Sequence, residues 1–258
     1  MNIVVCVKQV PDTEAKIRID GSGVWIDEAG INFVVSPYDE YAVEEALRIK
    51  EAKGGEVVAV TAGPERAATA LRSCLALGVD RAVHLVEPSL ERSDALAAAK
   101  CLAAVIRTLP HDLVLLGKYA VGTDRASVGP MLAEMLGLPH VSAAVKLEVA
   151  DASLRAEREV EGARELYECS LPAVVTADKG LNEPRYATLK GIMAAKKKPI
   201  EPRDLAAVGL TAADVAPRVM WTKLELPAAR PEGRILTGDP GDAAREVVRA
   251  LREVEKLI

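Results

Sequence analysis

Leu115-Leu116-Gly117-Lys118-Tyr119-Ala120-Val121-Gly122-Thr123-Asp124-Arg125-Ala126-Ser127-Val128-Gly129-Pro130 is the stretch whose reading decides the fold. The apolar run 113–116 that feeds it reads as a buried strand. Val128, Met131, Leu132, Met135 and Leu136 behind it recur at helical spacing. The stretch is therefore strand, glycine-containing loop, helix. Such a junction aims unpaired backbone N–H groups and the positive end of a helix at whatever sits above the strand ends, and phosphate suits both. Gly117, Gly122 and Gly129 let the backbone turn tightly and approach a ligand closely. Asp124 or Ser127 is placed to cap the helix, with Pro130 in its first turn. Two readings stand at this point: a phosphate- or nucleotide-binding loop, and an ordinary strand–helix connection that needs glycine to turn.

Upstream of the loop, strand and helix alternate. Residues 2–8 are nearly all apolar, as in a central parallel strand. Ser36-Pro37-Tyr38-Asp39-Glu40 starts a helix with Ser36 as cap and Pro37 in the first position. That helix buries Ala42, Val43, Ala46, Leu47 and Ile49, and turns Glu44, Glu45, Arg48 and Glu51 to water. Strands at 56–61, 82–86 and 112–117 alternate with helices at 67–77 and 93–108. This order predicts an α/β fold with a doubly wound, mainly parallel, Rossmann-like sheet and right-handed crossovers. Its ligand lies above the carboxyl ends of the strands, where residues 6–10, 36–38, 62–63 and the loop converge.

Three other stretches read differently. Residues 16–26 alternate around a glycine turn as a small surface hairpin. Residues 141–149 and 154–160 alternate as antiparallel strands, and 171–176 is a further buried strand. A long polar loop and a short helix at 188–198, ending in lysines, follow. Beyond Pro199 the chain carries Pro202, Pro217, Pro227, Pro231 and Pro240. This predicts a domain over 1–200 and an extended arm over 201–258 whose final helix, 242–257, buries Val247, Leu251 and Val254. The arm packs either on a partner subunit or back on its own domain.

Composition narrows the function. Of 258 residues, 50% are hydrophobic and 28% charged, enough for a large core. A formal net charge of −5 argues against nucleic-acid binding. No apolar run approaches the roughly 20 residues that span a bilayer, so no membrane insertion and a cytoplasmic or equivalent soluble compartment are expected. Aromatic residues make up 3%, with Phe33 the one phenylalanine, so the core is aliphatic. Cys6, Cys74, Cys101 and Cys169 form no CxxC pair, and His84, His111 and His140 are scattered; buried, reduced thiols and no metal site are expected.

Leu171-Pro172-Ala173-Val174-Val175-Thr176-Ala177-Asp178 and Leu181-Asn182-Glu183-Pro184-Arg185-Tyr186-Ala187-Thr188-Leu189 resemble the β subunit of the electron transfer flavoproteins. The likeness runs nearly end to end. It includes Val7-Lys8, Ala42-Val43-Glu44-Glu45-Ala46-Leu47, Gly63-Pro64, Leu115-Leu116-Gly117-Lys118, Glu157-Arg158-Glu159 and the lysine run 196–198. The resemblance implies an electron carrier with no substrate chemistry of its own. It would pair with an α subunit that holds most of an FAD, accept electrons from soluble flavin dehydrogenases such as the acyl-CoA dehydrogenases of fatty acid oxidation, and deliver them to a quinone-linked oxidoreductase. Its tasks would be to place and tune the flavin and to dock partners.

The resemblance also implies an adenine nucleotide-binding type of fold with a structural AMP. The matching positions are Cys6, Ser36, Pro37, Tyr38, Asp39, Ala62, Gly117, Lys118, Ala120, Val121, Gly122, Thr123, Asp124, Arg125, Ala126, Ser127 and Val128. Tyr38 matches an aromatic position near the flavin, while Thr13 stands where some relatives carry Tyr. Leu189 matches the family's docking leucine, in a recognition loop spanning 177–199, and Glu159 matches a carboxylate that meets the mobile flavin domain. Lys196, Lys197 and Lys198 either steer acidic partners or form a solvated face. Electron-bifurcating relatives hold a second FAD in place of AMP; Val128-Gly129-Pro130 is shared with them, but Thr123-Asp124-Arg125-Ala126-Ser127 lacks their Thr and Gln, which favours AMP. A stand-alone ATP- or AMP-binding enzyme is the competing class. It would want a glycine- and serine-rich phosphate loop after the first strand, where this chain has Lys8-Gln9-Val10-Pro11-Asp12. A pure nucleotide sensor would leave the 182–189 motif and the arm unexplained.

Overall fold

The computed structural model describes residues 1–230 and 232–258; Pro231, one of the prolines that mark the arm, lies outside the described residues. The chain begins β1 (Asn2–Cys6), β2 (Gln9–Pro11), β3 (Phe33–Val35), α1 (Pro37–Lys53), β4 (Glu56–Gly63), α2 (Ala68–Leu77) and β5 (Arg81–Val86). It continues α3 (Ala95–Ile106), β6 (Leu113–Gly117), α4 (Val128–Leu136), β7 (His140–Val149), β8 (Ser153–Val160) and β9 (Ala163–Ser170). Last come β10 (Ala173–Ala177), α5 (Leu189–Ala195), β11 (Ile200–Arg203) and α6 (Pro240–Arg249).

One nine-stranded sheet runs in the order β11-β5-β4-β1-β6-β10-β7-β8-β9. Every pairing from β11 to β7 is parallel, and β7–β8 and β8–β9 are antiparallel. Chain order reverses at β1, which pairs with β4 on one side and β6 on the other. The expected doubly wound, mainly parallel α/β architecture is present.

Strand alternation divides the core in two. Ile3, Val5, Val57, Ala59, Leu113 and Leu115 point to the face covered by α1 and α2. Val4, Cys6, Val58, Val60, Val114 and Leu116 point to the face covered by α3 and α4. Successive side chains on a strand leave on opposite sides, so strands buried on both faces must be apolar throughout.

Several expectations are corrected by packing. Glu44 and Glu45 are buried, not turned to water, because the loop before α5 folds over α1. The alternation at 16–26 yields a single bridge, Ile19 to Ile26, in place of a hairpin ladder. Strand β9 has no apolar face of its own and went unread; it is recruited by pairing along the whole of β8. Beyond Pro199, β11 adds an edge strand beside β5, and the first compact unit, Met1–Leu224, runs past the boundary expected at 200. The second unit, Glu225–Ile258, carries α6 with a π turn at Ala250–Val254. Val247 and Val254 there are exposed, not buried as the helical spacing suggested.

Candidate functional site

A cleft opens above the carboxyl ends of β1, β4 and β6, at the point where strand order reverses. It encloses about 930 Å³ with its mouth included. Cys6 and Ala62 form part of its floor, Gly117, Lys118, Ala120, Thr123, Arg125, Ala126, Ser127 and Val128 line the side of the opening loop, and Asp39 enters from α1.

Asp39 governs how the strand ends are held. It is buried, and its two carboxylate oxygens accept the Lys8 amide at 2.7 Å and the Gly117 amide at 2.8 Å. Burial pushes this carboxyl up to about 7, against the pull of the two amides. The same burial, with Asp39 nearby, pushes the Cys6 thiol far up, so Cys6 is an inert neutral packing group. A β carbon at position 117 would meet Asp39 Oδ1 at 2.6 Å and Tyr38 at 2.7 Å, so only glycine fits there. At position 129 it would meet Thr176 at 2.4 Å, which seats the first turn of α4 against β10.

The loop itself is a turn over 120–124, with the Asp124 amide donating to the Ala120 carbonyl at 3.0 Å. Gly122 has φ +87, and Asp124 and Ala126 have φ +43 and +50, a region unfavourable for residues with side chains. Ser127 occupies the N-cap position of α4 without a side-chain bond to the helix, and Asp124 does not cap it either. Ser36 likewise stands before α1 without a capping bond, its hydroxyl buried and unpartnered. At the start of α4, Ser127 and Val128 line the cleft, the Met131 amide donates to the Ser127 carbonyl at 3.1 Å, and Pro130 has no amide to offer. Lys8 borders the cleft; part of its side chain reaches water, while the protein packed around it and the Arg125 charge lower its ammonium below the ordinary lysine value. Arg125 donates to the Ser93 carbonyl at 2.7 Å, whereas the Lys118 ammonium is drawn aside to Asp178 at 2.8 Å.

Six of the expected residues do not line this cleft: Ser36, Pro37, Tyr38, Val121, Gly122 and Asp124. Tyr38 lies just outside it, its hydroxyl 3.0 Å from that of Tyr119 and its ring 4.9 Å from the Lys118 ammonium. Val121 and Gly122 border a second, more apolar cavity, which encloses about 1310 Å³ with its mouth included, beneath Trp25, Phe33 and Pro64. The two cavities share Lys8, Trp25, Ala62, Leu90, Glu91, Thr123 and Trp221.

The far wall of the cleft was missed from sequence: Trp25, Leu90, Ser93, Asp94, Leu102 and Trp221. Ser93 has a buried hydroxyl without a partner. The signal that was available is the pair of tryptophans in a chain so poor in aromatics.

The loop at 177–199 is organised from beneath. Asn182 donates to the Tyr41 carbonyl at 3.0 Å and to Glu45 at 2.9 Å, and Arg185 bridges Glu44 at 2.7 Å and Glu51 at 2.5 Å. Leu189 opens α5 and is 78% exposed. Lys198 turns inward to the Val79 and Leu75 carbonyls at 2.5 and 3.3 Å, where it neutralises the end of α2 and is withdrawn from steering. Glu159, on β8, pairs at 2.8 Å with Arg164 across the hairpin to β9.

The fold and the cleft define a doubly wound α/β protein with a pocket at the carboxyl ends of its strands. The family profile described as "Electron transfer flavoprotein domain" matches residues 23–208. The chain is 40% identical to the electron transfer flavoprotein subunit beta of Bacillus subtilis (strain 168), over 100% of both chains. It is 38% identical to the subunit beta of Homo sapiens, over 100% of this chain and 99% of that one, and 41% identical to that of Bradyrhizobium diazoefficiens, over 90% and 92%. The chain belongs to the electron transfer flavoprotein family. Among the described residues, no helix is long and apolar enough to cross a membrane.

Proposed function

We propose that this chain is the β subunit of a heterodimeric electron transfer flavoprotein, an electron carrier that makes and breaks no substrate bond itself. The cleft takes AMP as a structural nucleotide, and an α subunit supplies the site for FAD. The observation that carries the reading is the cleft at the strand-order reversal. Its lining combines the start of α4, at Ser127 and Val128, and the cations Lys8 and Arg125 with the small or apolar Cys6, Ala62 and Leu102. Anionic phosphate suits the first set and a flat apolar base the second. The unpartnered Ser93 hydroxyl is available to a ligand's polar edge.

FAD, when bound, supplies the one- and two-electron chemistry. This chain's own contribution is to present Tyr38, Tyr119 and Lys118 as a packed cluster beside the cleft and to offer Leu189 for docking. Flavin dehydrogenases deliver electrons through the loop at 177–199, a quinone-linked oxidoreductase receives them, and the second unit of the arm, Glu225–Ile258, packs on the α subunit. The amphipathic α6, with Val247 and Val248 half-exposed, supports that last assignment.

A second reading is favoured by one feature, the apolar cavity continuous with the cleft. Together they offer room for a dinucleotide, as in a bifurcating subunit with a second FAD. Co-purification with the α subunit, denaturation and chromatography of the released nucleotides decides the matter. One FAD with one AMP supports the first reading and two FAD the second. ATP consumption by this chain alone returns it to the enzyme class.

A further inference from the structure

Residues 214–224 belong to no strand or helix, yet they are pinned at four points. Lys100, on α3, donates its ammonium to the Asp214 carbonyl at 2.8 Å. Val215 is 2% exposed and packs into the core beneath α3. The Arg218 and Val219 amides donate to Asp94 Oδ2 at 2.5 and 3.0 Å. The Leu224 amide donates to the Gly23 carbonyl at 2.8 Å. Between the last two pins lies Trp221, which lines both the cleft and the apolar cavity and carries the Arg125 guanidinium 5.6 Å from its ring centre.

We propose that residues 214–224 form a strap across the cleft, with Trp221 as the side chain that seals it and Asp94 as the anchor that sets how fast a bound nucleotide escapes. The proposal rests on the adenosine-phosphate reading of the cleft.

Asp94 does two tasks with one carboxylate. Oδ1 accepts the Ala97 amide at 2.9 Å and so caps α3, while Oδ2 is committed to the strap. Burial pushes its carboxyl up, but the Ala97, Arg218 and Val219 amides and the Arg125 charge outweigh burial and hold it below the ordinary carboxylate value. Those bonds are therefore made to the charged form, the stronger kind. The sheet does not depend on them. A segment held by a few bonds and one buried side chain can open at a small fraction of the cost of global unfolding. Val219 and Met220, beside Trp221, are exposed, so only the indole of this run closes the wall. The tail of the first compact unit thereby acquires a task that neither the arm reading nor the opening loop assigned to it.

The test uses the full-length chain with its partner subunit, loaded with radiolabelled AMP and diluted into excess unlabelled AMP. Trp221→Ala removes the seal. Asp94→Asn keeps an oxygen for the α3 cap but puts an amide where the strap needs an acceptor. Each is expected to speed AMP release by about tenfold or more, the effect of one lost contact, and Trp221→Phe to stay near the wild-type rate. Release at the wild-type rate from Trp221→Ala overturns the strap even if Asp94→Asn does not fold, since Trp221 is 41% exposed and supports little of the core. A wild-type complex that retains no AMP under any loading overturns the cleft reading and the strap with it.

Discussion

Asp39 and Gly117 are joined at 2.8 Å, carboxylate to amide, across the point where the strand order of the sheet reverses. With the Lys8 amide on its other oxygen, the carboxylate occupies the crevice between β1 and β6 that a parallel sheet ordinarily offers a ligand's anion. The protein fills that crevice with its own carboxyl group. On the proposed AMP reading, the phosphate lies one step along the loop, at the start of α4.

Gly117→Ala is the direct test of that joint. The added carbon would overlap Asp39 Oδ1 and the Tyr38 backbone, and the Gly117 amide would lose its acceptor as the chain shifts. Overpacking and an unpaired buried amide together predict a loss of about 2–5 kcal/mol. Urea denaturation of the purified chain measures it; a midpoint equal to wild type would mean that the joint does not bear on stability.

The raised Asp39 carboxyl makes a prediction in pH. Its folded-state value of about 7 lies above the ordinary 3.8, because burial disfavours the charge. Between those values the native state holds the proton more tightly than the unfolded chain, so stability declines as pH rises through the window. The contribution of this one group approaches about 1.4 kcal/mol per pH unit at its steepest. Asp39→Asn is expected to flatten the profile between pH 4 and about 7, judged from denaturation midpoints at fixed ionic strength against wild type. Parallel profiles for the two proteins would assign the slope to other groups.

The sequence was most legible where one physical rule acts alone. Buried parallel strands must be apolar, so β1, β4, β6 and β10 announce themselves, and Gly117 marks the turn above them. It was least legible where a distant segment supplies the deciding partner. Glu44 and Glu45 look like solvent-facing acids until Arg185 and Asn182 are folded over them. Asp94 and Trp221 lie more than a hundred residues apart in sequence, and no local periodicity relates them. Residues 201–224 read as part of an extended arm by composition, yet Val215 is core and Trp221 is wall.

Arg185 locks the loop at 177–199 to α1. Its guanidinium serves the buried Glu44 in a forked bond and reaches Glu51 at the surface. Arg185→Ala strands the Glu44 carboxylate, 8% exposed, without its cation. Because Arg185 is itself about a third exposed, solvent screens the loss, and about 1–3 kcal/mol is expected instead of the full penalty of a buried pair. Hydrogen exchange should quicken at residues 181–187 while the strands of the sheet stay protected. Arg185→Lys should recover only part of this, since an ammonium cannot make the forked bond. Unchanged exchange in the loop would show that Asn182 alone fixes it.

The proposed docking role of Leu189 can be tested apart from folding. Thr188 caps α5 by accepting the Gly191 amide at 3.1 Å. Gly191 in turn lies so close to the Ala76 carbonyl that a β carbon there would sit 2.3 Å from it. The helix is therefore held against α2 through its glycine, and Leu189 is presented outward with Tyr186 and Met193 also exposed around it. Nothing in the core leans on that leucine, so Leu189→Ala should change stability by no more than about 0.5 kcal/mol. A single apolar anchor on a small, fast-releasing interface carries a large share of the binding energy, of order 2 kcal/mol or more. The variant complex, used as acceptor for a flavin dehydrogenase, should show KM raised roughly thirtyfold with its melting temperature and bound nucleotides unchanged. Were KM to hold at the wild-type value, the dehydrogenase would have to dock elsewhere on the complex, and the exposed apolar cap of α5 would need another partner.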